Sequence, residues 1–154
     1  MSDLERLETL GAGMLAQLTP GKRAALAGRI ARDLRRSQIR RIRAQSNPDG
    51  TPYAPRRPQA ARSRHRHIKR GAMFRKLATH GYIRARGTPN EASVAFVRRV
   101  ARIALVHQEG LTDRVRPGGP LADYPARRLL GFGAADIALV EDAILGHLAH
   151  GLHA

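Results

Sequence analysis

The sequence predicts an α+β domain with two N-terminal helices, a long basic arm, a small antiparallel sheet and a C-terminal helix. Three observations predict it. Apolar residues recur with a helical period at both ends of the chain, two alternating segments flank a Gly-Thr-Pro-Asn turn near its middle, and a Pro- and Arg-rich stretch separates the first helices from the rest. At 154 residues the chain is expected to form one domain, 1–154, able to bury a core without metal or disulfide support. Its parts are a helical segment at 1–45, the arm at 46–72, the sheet region at 73–131 and the last helix at 132–154.

The first helix, Ser2 to Leu18, places Leu4, Leu7, Gly11, Met14, Leu15 and Leu18 on one stripe, and Ser2 with Glu5 has the spacing of a capping box. Gly11 and Gly13 weaken its middle. Thr19-Pro20 reads as the N-cap and first residue of a second helix running to about Ala44. On a helical wheel Leu26, Ala27, Ile30, Ala31, Leu34 and Ile42 fill one half, and Arg29, Arg32, Arg35, Arg36, Arg40 and Arg43 the other. Arg23 and Arg41 fall in the apolar half and Ile39 in the basic half, so the ends of this helix are expected to be partly exposed on both sides. An ordinary solvated face mixes signs, whereas Asp33 is the single acid of this segment. The arginine face therefore reads as a surface for an anionic partner or a neighbouring subunit.

Asn47-Pro48-Asp49-Gly50 is a turn, with Pro at its second position and Gly at its fourth. From Thr51 to Gly71 three prolines alternate with Arg56, Arg57, Arg62, Arg64, Arg66, Lys69 and Arg70, and Tyr53 and Ile68 are almost the only apolar side chains. Such a stretch cannot bury a core of its own and is expected to be an extended arm that orders against something acidic. Met73, Phe74 and Leu77 restart the apolar pattern. His80–Arg86 and Glu91–Arg98 read as a hairpin around residues 87–90. Both faces of its second strand are nearly apolar, so that strand is expected to be covered on both sides.

Val100–Gln108 fits either a strand or a helix, with Gly110 as a stop. Pro117-Gly118-Gly119-Pro120 marks a loop or a strand pair within Arg114–Tyr124. The last helix, Ala134 to His150, carries the stripe Ile137, Val140, Ile144 and Leu148, with Asp136 in its first turn, where the helix dipole favours an acid.

Twenty-eight Lys and Arg against twelve Asp and Glu give a net charge of +16. The whole excess lies within the first ninety residues, since residues 91–154 carry seven charges of each sign. Only Lys22, Lys69 and Lys76 are lysine. Arginine suits bidentate pairing with carboxylate or phosphate, although a GC-rich genome produces the same bias. Without cysteine there are no disulfides, thiolate metal sites or cysteine nucleophiles. No run of eighteen apolar residues exists and Asp3, Glu5 and Glu8 stand near the start, so neither a membrane span nor a secretory signal is expected.

Chemistry has few candidates. His65 and His67 lie in a cationic run that repels a metal dication, and His147, His150 and His153 drift around a helix end, so no metal or other cofactor is expected. His107 reads as a buried or interface histidine, hydrogen-bonded through Gln108 or backbone. A nuclease would draw on His107, Glu109 and Asp113, yet no nuclease pattern surrounds them. A sequence-independent nucleic-acid-binding protein stays open on charge alone. It would contact phosphates and depend strongly on salt, since six aromatic rings in all offer few stacking platforms.

Five stretches carry a resemblance that spans about residues 29–148. They are Ile30–Gln38 with Arg41-Ile42, Gln45–Tyr53 around Asn47-Pro48-Asp49-Gly50, Met73–Leu77, Ala101–Leu111 with His107, Gln108 and Gly110, and Tyr124-Pro125-Ala126-Arg127-Arg128-Leu129-Leu130-Gly131. Together, and in this order, they resemble the phage virion morphogenesis, or tail completion, family of tailed bacteriophages. The resemblance implies a structural virion protein without enzymatic activity that completes the tail and joins it to the head, working as a ring or neck component in the virion after assembly in the host cytoplasm. Implied partners are copies of itself, tail-tube, tail-terminator or connector proteins, and packaged DNA through non-specific contact, with no membrane. Arg29, Arg32, Arg36, Arg40, Arg43, Arg56, Arg57, Arg62, Arg64, Arg66 and Arg70 are the candidate interaction surface. The acids at 136–142 of a neighbour are a candidate counter-surface.

Overall fold

The structure is a computed structural model that describes residues 2–15, 18–57 and 71–151, without the side chains of residues 10, 11, 13–15 and 151. Its elements are α1 (Asp3–Leu15), α2 (Pro20–Arg43), β1 (Ile83–Thr88), β2 (Glu91–Phe96), α3 (Arg98–Glu109), β3 (Thr112–Arg114), β4 (Leu121–Asp123) and α4 (Ala134–Gly151). The α+β architecture matches the expectation, except that the strands form two separate antiparallel pairs, β1–β2 and β3–β4, and α3 occupies the stretch between them.

Local chemistry sets the helix ends. At α1 the Ser2 amide donates to Glu5 Oε2 at 2.6 Å and the Glu5 amide to Ser2 Oγ at 3.2 Å, closing the capping box. Thr19 Oγ1 accepts from the Lys22 amide ahead of Pro20, which opens α2. At the other end of α2, Gln45 takes the left-handed conformation at φ 59°. Its amide donates to Ile42 O, and the Ser46 amide to Arg41 O, the bond pattern that usually recruits glycine at this place. Val100–Gln108 resolves as helix, and Gly110 ends it at φ 67°.

α2 is the centre of the molecule. It packs along β1, β2 and α4, and α1 lies on α4. Leu26, Ile30 and Leu34 bury against Ala143 and Ile144 of α4, with Ala92 and Val94 of β2 beside them. Nearer its C-terminus, Ile39 and Ile42 join Tyr53, Ala78, Ile83, Ala104 and Leu129. Ile42, Ile83 and Leu129 are fully buried, each stabilising by roughly 1.5–3 kcal/mol.

This second cluster corrects two expectations. Ile39 is buried although the wheel placed it among arginines, because the chain segments around Tyr53 and Ala78 wrap that side of α2. Residues 46–55 are therefore not arm: Ser46 bridges Pro52, and Tyr53 is a core residue. The hairpin also turns later than expected. Strand pairing runs through Gly87↔Ala92 and Thr88↔Glu91, leaving Pro89-Asn90 as the loop. β2 is half covered rather than doubly covered, with Ala95 exposed on the face away from α2.

Candidate assembly surface

The exposed face of α2 presents Arg29, Arg32, Arg36, Arg40 and Arg43. Arg36 pairs with Asp33 three residues back, and Arg43 donates to the Ala78 carbonyl at 3.2 Å. Arg29, Arg32 and Arg40 have no ion-pair partner among the described residues. Arg56 and Arg57 are exposed at the start of the arm, while Arg62, Arg64, Arg66 and Arg70 lie outside the described residues. Of the acids expected to serve as a counter-surface, Asp136 is not available. It is buried, accepts from Ser37 Oγ and caps its own helix through the Gly133 amide. Glu141 and Asp142 are exposed.

The remaining motif residues converge on one strap, residues 124–131, which has no regular secondary structure. Its backbone groups are satisfied by side chains brought from four other segments. Gln108 Oε1 accepts from the Leu129 and Leu130 amides at 2.8 and 3.0 Å, while its Nε2 donates to the Leu130 carbonyl at 2.8 Å. Asn47 Oδ1 accepts from the Arg128 amide, and Gln38 Oε1 from the Gly131 amide. Arg41 donates to the Arg128 and Leu129 carbonyls at 3.0 and 2.9 Å, and Tyr53 Oη to Arg128 O. Arg41, which broke the wheel pattern, is thus a structural cross-brace between α2 and the strap.

Turns complete the arrangement. Asp49 accepts from the amide and hydroxyl of Thr51, bonds that hold its carboxyl below the usual range. Gly50 closes the turn at φ 87°. Pro48 packs so closely on the strap that a Cβ at Gly131 would fall 2.6 Å from its ring, and Gly110 meets Ala126 as tightly. Tyr124 and Pro125 lead into the strap, and the Tyr124 amide donates to Leu111 O.

His107 differs from expectation. Its ring makes no bond to Gln108 but stands edge-on between Phe74 and Tyr124, at centroid distances of 4.8 and 5.0 Å, and Phe74 in turn meets Tyr53. Its Nδ1 is buried without a partner among the described residues. Burial, then the nearby Arg127 charge, push its pKa down. Of the two acids grouped with it in the nuclease reading, Asp113 is instead bound to Arg102 and Glu109 is exposed at the end of α3. Among the described residues no three His, Asp or Glu side chains are placed to hold a metal, and no helix is long and apolar enough to cross a membrane.

Both roots of the basic arm are gripped by the body. Arg127, 4 % exposed, donates from Nε to Ala54 O at 2.7 Å and from its terminal nitrogen to Pro55 O at 2.9 Å. Gln45 binds both backbone groups of Met73, donating to its carbonyl at 2.9 Å and accepting from its amide at 2.7 Å. Gln38, Gln45 and Tyr53 were not singled out from the sequence as site residues. Arg41 was flagged by its place on the wheel, and all four lie within the stretches that carry the resemblance, which were the available signals.

A small α+β chain with a cationic helix face and a body that grips residues 54–55 and 73 on either side of the basic arm presents surface suited to contact with other chains. The chain belongs to the phage virion morphogenesis family, which it matches over residues 2–149. It is similar to tail completion protein S of Escherichia phage P2, with 43 % identity over 149 residues that cover 96 % of this chain and 99 % of that protein. No solved structure matches it.

Proposed function

We propose that this chain is a non-enzymatic structural protein that completes the tail of a tailed phage and readies it for joining to the head, acting as a ring or neck component among copies of itself and tail-tube, terminator or connector proteins. The observation that carries this reading is the 43 % identity to a tail completion protein over nearly the full length of both chains. The exposed arginines of α2 and the arm held at its two roots support a contact role. A segment that cannot fold alone gains order by binding, and cations without internal partners attract acidic surfaces. The motif residues Asn47 to Gly50, His107, Gln108, Gly110 and Tyr124 to Gly131 then act by building the platform from which the arm departs.

The test is a phage lacking this gene. It is expected to yield tails and filled heads that do not join, with joining restored when the chain is supplied in trans. Infectious particles assembled without it would overturn the reading. A second reading, sequence-independent nucleic-acid binding, draws on Arg29, Arg32 and Arg40, which have no ion-pair partner among the described residues. It requires a mobility shift at low salt that disappears as salt rises, and an unshifted duplex at low salt removes it.

A further inference from the structure

The β1–β2 hairpin has two unlike edges. In an antiparallel ladder, residues alternate between pairs that exchange hydrogen bonds and pairs that do not. The Val97 amide donates to Tyr82 O at 2.8 Å, and with the register Ile83↔Phe96 this turns the backbone groups of Glu91, Ser93 and Ala95 toward β1. The N–H and C=O groups of Ala92, Val94 and Phe96 therefore point outward, and none has a hydrogen-bond partner among the described residues. On the opposite edge, the Ile83 amide is bound by Thr79 O, Gly87 is pressed on α2, and Arg84 and Arg86 are exposed.

Open edges are normally blunted by charge, proline or a bulge. From Ala92 to Val97 β2 has no charged residue and no proline, and its pairing with β1 is regular. Beside it runs an apolar groove of about 300 Å³ between β2 and α3, bordered by Ala95, Ala101, Leu105 and Leu130. A second, smaller one of about 120 Å³ shares Val94 and Leu130 with it and is bordered by Phe132. Leu105 and Phe132 are each half exposed.

We propose that two copies of this chain pair antiparallel through β2, about a two-fold axis at Val94, to make one four-stranded sheet. The edge is self-complementary. Val94 opposes Val94 of the second copy and Ala92 opposes its Phe96, so three outward donors and three outward acceptors on each copy form six hydrogen bonds with none left over. Two-fold pairing keeps like faces together only in steps of two residues, and a shift either way leaves one of the three outward residues of each strand unpaired. In the centred register Glu91 stands opposite Val97 of the second copy, so the paired stretch from Ala92 to Phe96 is free of charge and Glu91 lies at its rim. Pairing needs enough salt to screen the +16 charge of each copy. The interface specifies one self-contact within the reading above, yet it is a property of the isolated chain. A monomeric chain that still restored head–tail joining would overturn the pairing and leave the tail role standing.

The absence of cysteine permits a direct test. In the proposed register Ser93 and the second copy's Ala95 form a non-hydrogen-bonded pair, close enough for a disulfide, whereas Ser93 and its own copy in the partner are beyond reach. Oxidising a mixture of Ser93→Cys and Ala95→Cys chains is expected to yield covalent dimers, and neither variant alone should. Ala95→Lys, at an exposed position, is expected to weaken the dimer by about tenfold or more in sedimentation equilibrium while leaving its unfolding transition in place. A parent chain that stays monomeric in screening salt, cross-links formed equally well by single variants, or a dimer indifferent to Ala95→Lys would each overturn the proposal. Capture of a foreign strand by a monomeric chain counts among those failures.

Discussion

Gly87 of β1 rests directly on Gly28 of α2. A Cβ at Gly87 would fall 2.1 Å from the Gly28 nitrogen and 2.5 Å from its Cα, so the strand and the helix backbone touch here without an intervening side chain. A Cβ at Gly28 would instead meet only the far end of the Arg32 side chain, at 3.3 Å. The two glycines share one contact but are not equivalent. Gly87→Ala is expected to destabilise by about 1–3 kcal/mol or more, because backbone has to move. Gly28→Ala is expected to be neutral or to stabilise by up to about 1 kcal/mol through helix propensity. Urea denaturation of both variants measures the difference, and equal losses would refute this account of the contact.

Gln108 satisfies three backbone groups of the strap with one side chain. Gln108→Leu keeps the volume and orphans all three, for an expected loss of about 2–4 kcal/mol. Gln108→Glu retains the acceptor and loses the donor, so its loss is expected to be smaller. Equilibrium unfolding should rank the two variants in that order.

His107 makes stability depend on pH. Burial and the Arg127 charge lower its pKa in the folded chain, so folding favours the neutral ring. That contribution is complete above the unfolded value of about 6.5 and is lost as pH falls through it toward the lower folded value. The melting temperature is expected to drop between pH 8 and pH 5.5, and His107→Phe, which retains a ring between Phe74 and Tyr124, should flatten this drop. An unchanged pH profile in the variant would place the sensitivity elsewhere.

Arg29, Arg32 and Arg40 are exposed and without ion-pair partners among the described residues. Replacing all three by glutamate is expected to change stability by no more than about 0.5 kcal/mol per site. Under the proposed function the same variant fails to restore head–tail joining in trans. A folded variant that restores joining fully would remove this face from the contact surface.

α1, α2 and α4 were legible in the sequence because their signals are local, whereas Val100–Gln108 fitted a strand and a helix alike and the structure decided for α3. Ser2 with Glu5, Thr19-Pro20 and Gly110 act within one turn of the ends they define, and the apolar period of α2 reports the side that packs. The family motifs were legible as strings, but their meaning was not. Asn47, Gln108 and Arg127 stood in the motifs without a role, and the fold spends them on the backbone of residues 54–55 and 128–130. Side chain to backbone bonds across 20 to 90 positions leave no periodic trace, so the strap could not be seen in advance. The same holds for Ile39, whose burial depends on a segment that returns from residue 53, and for Asp136, taken from the surface by Ser37.

Composition, charge partition and local capping determined by themselves that this is an α+β chain with its positive charge confined to its first ninety residues. Only the tertiary structure decided which of the described arginines face solvent, that Tyr53 belongs to the core, and that the outward groups of β2 find no partner among the described residues. Those outcomes depend on which distant segments cover a surface, and coverage is a property of packing between elements rather than of the residues within one.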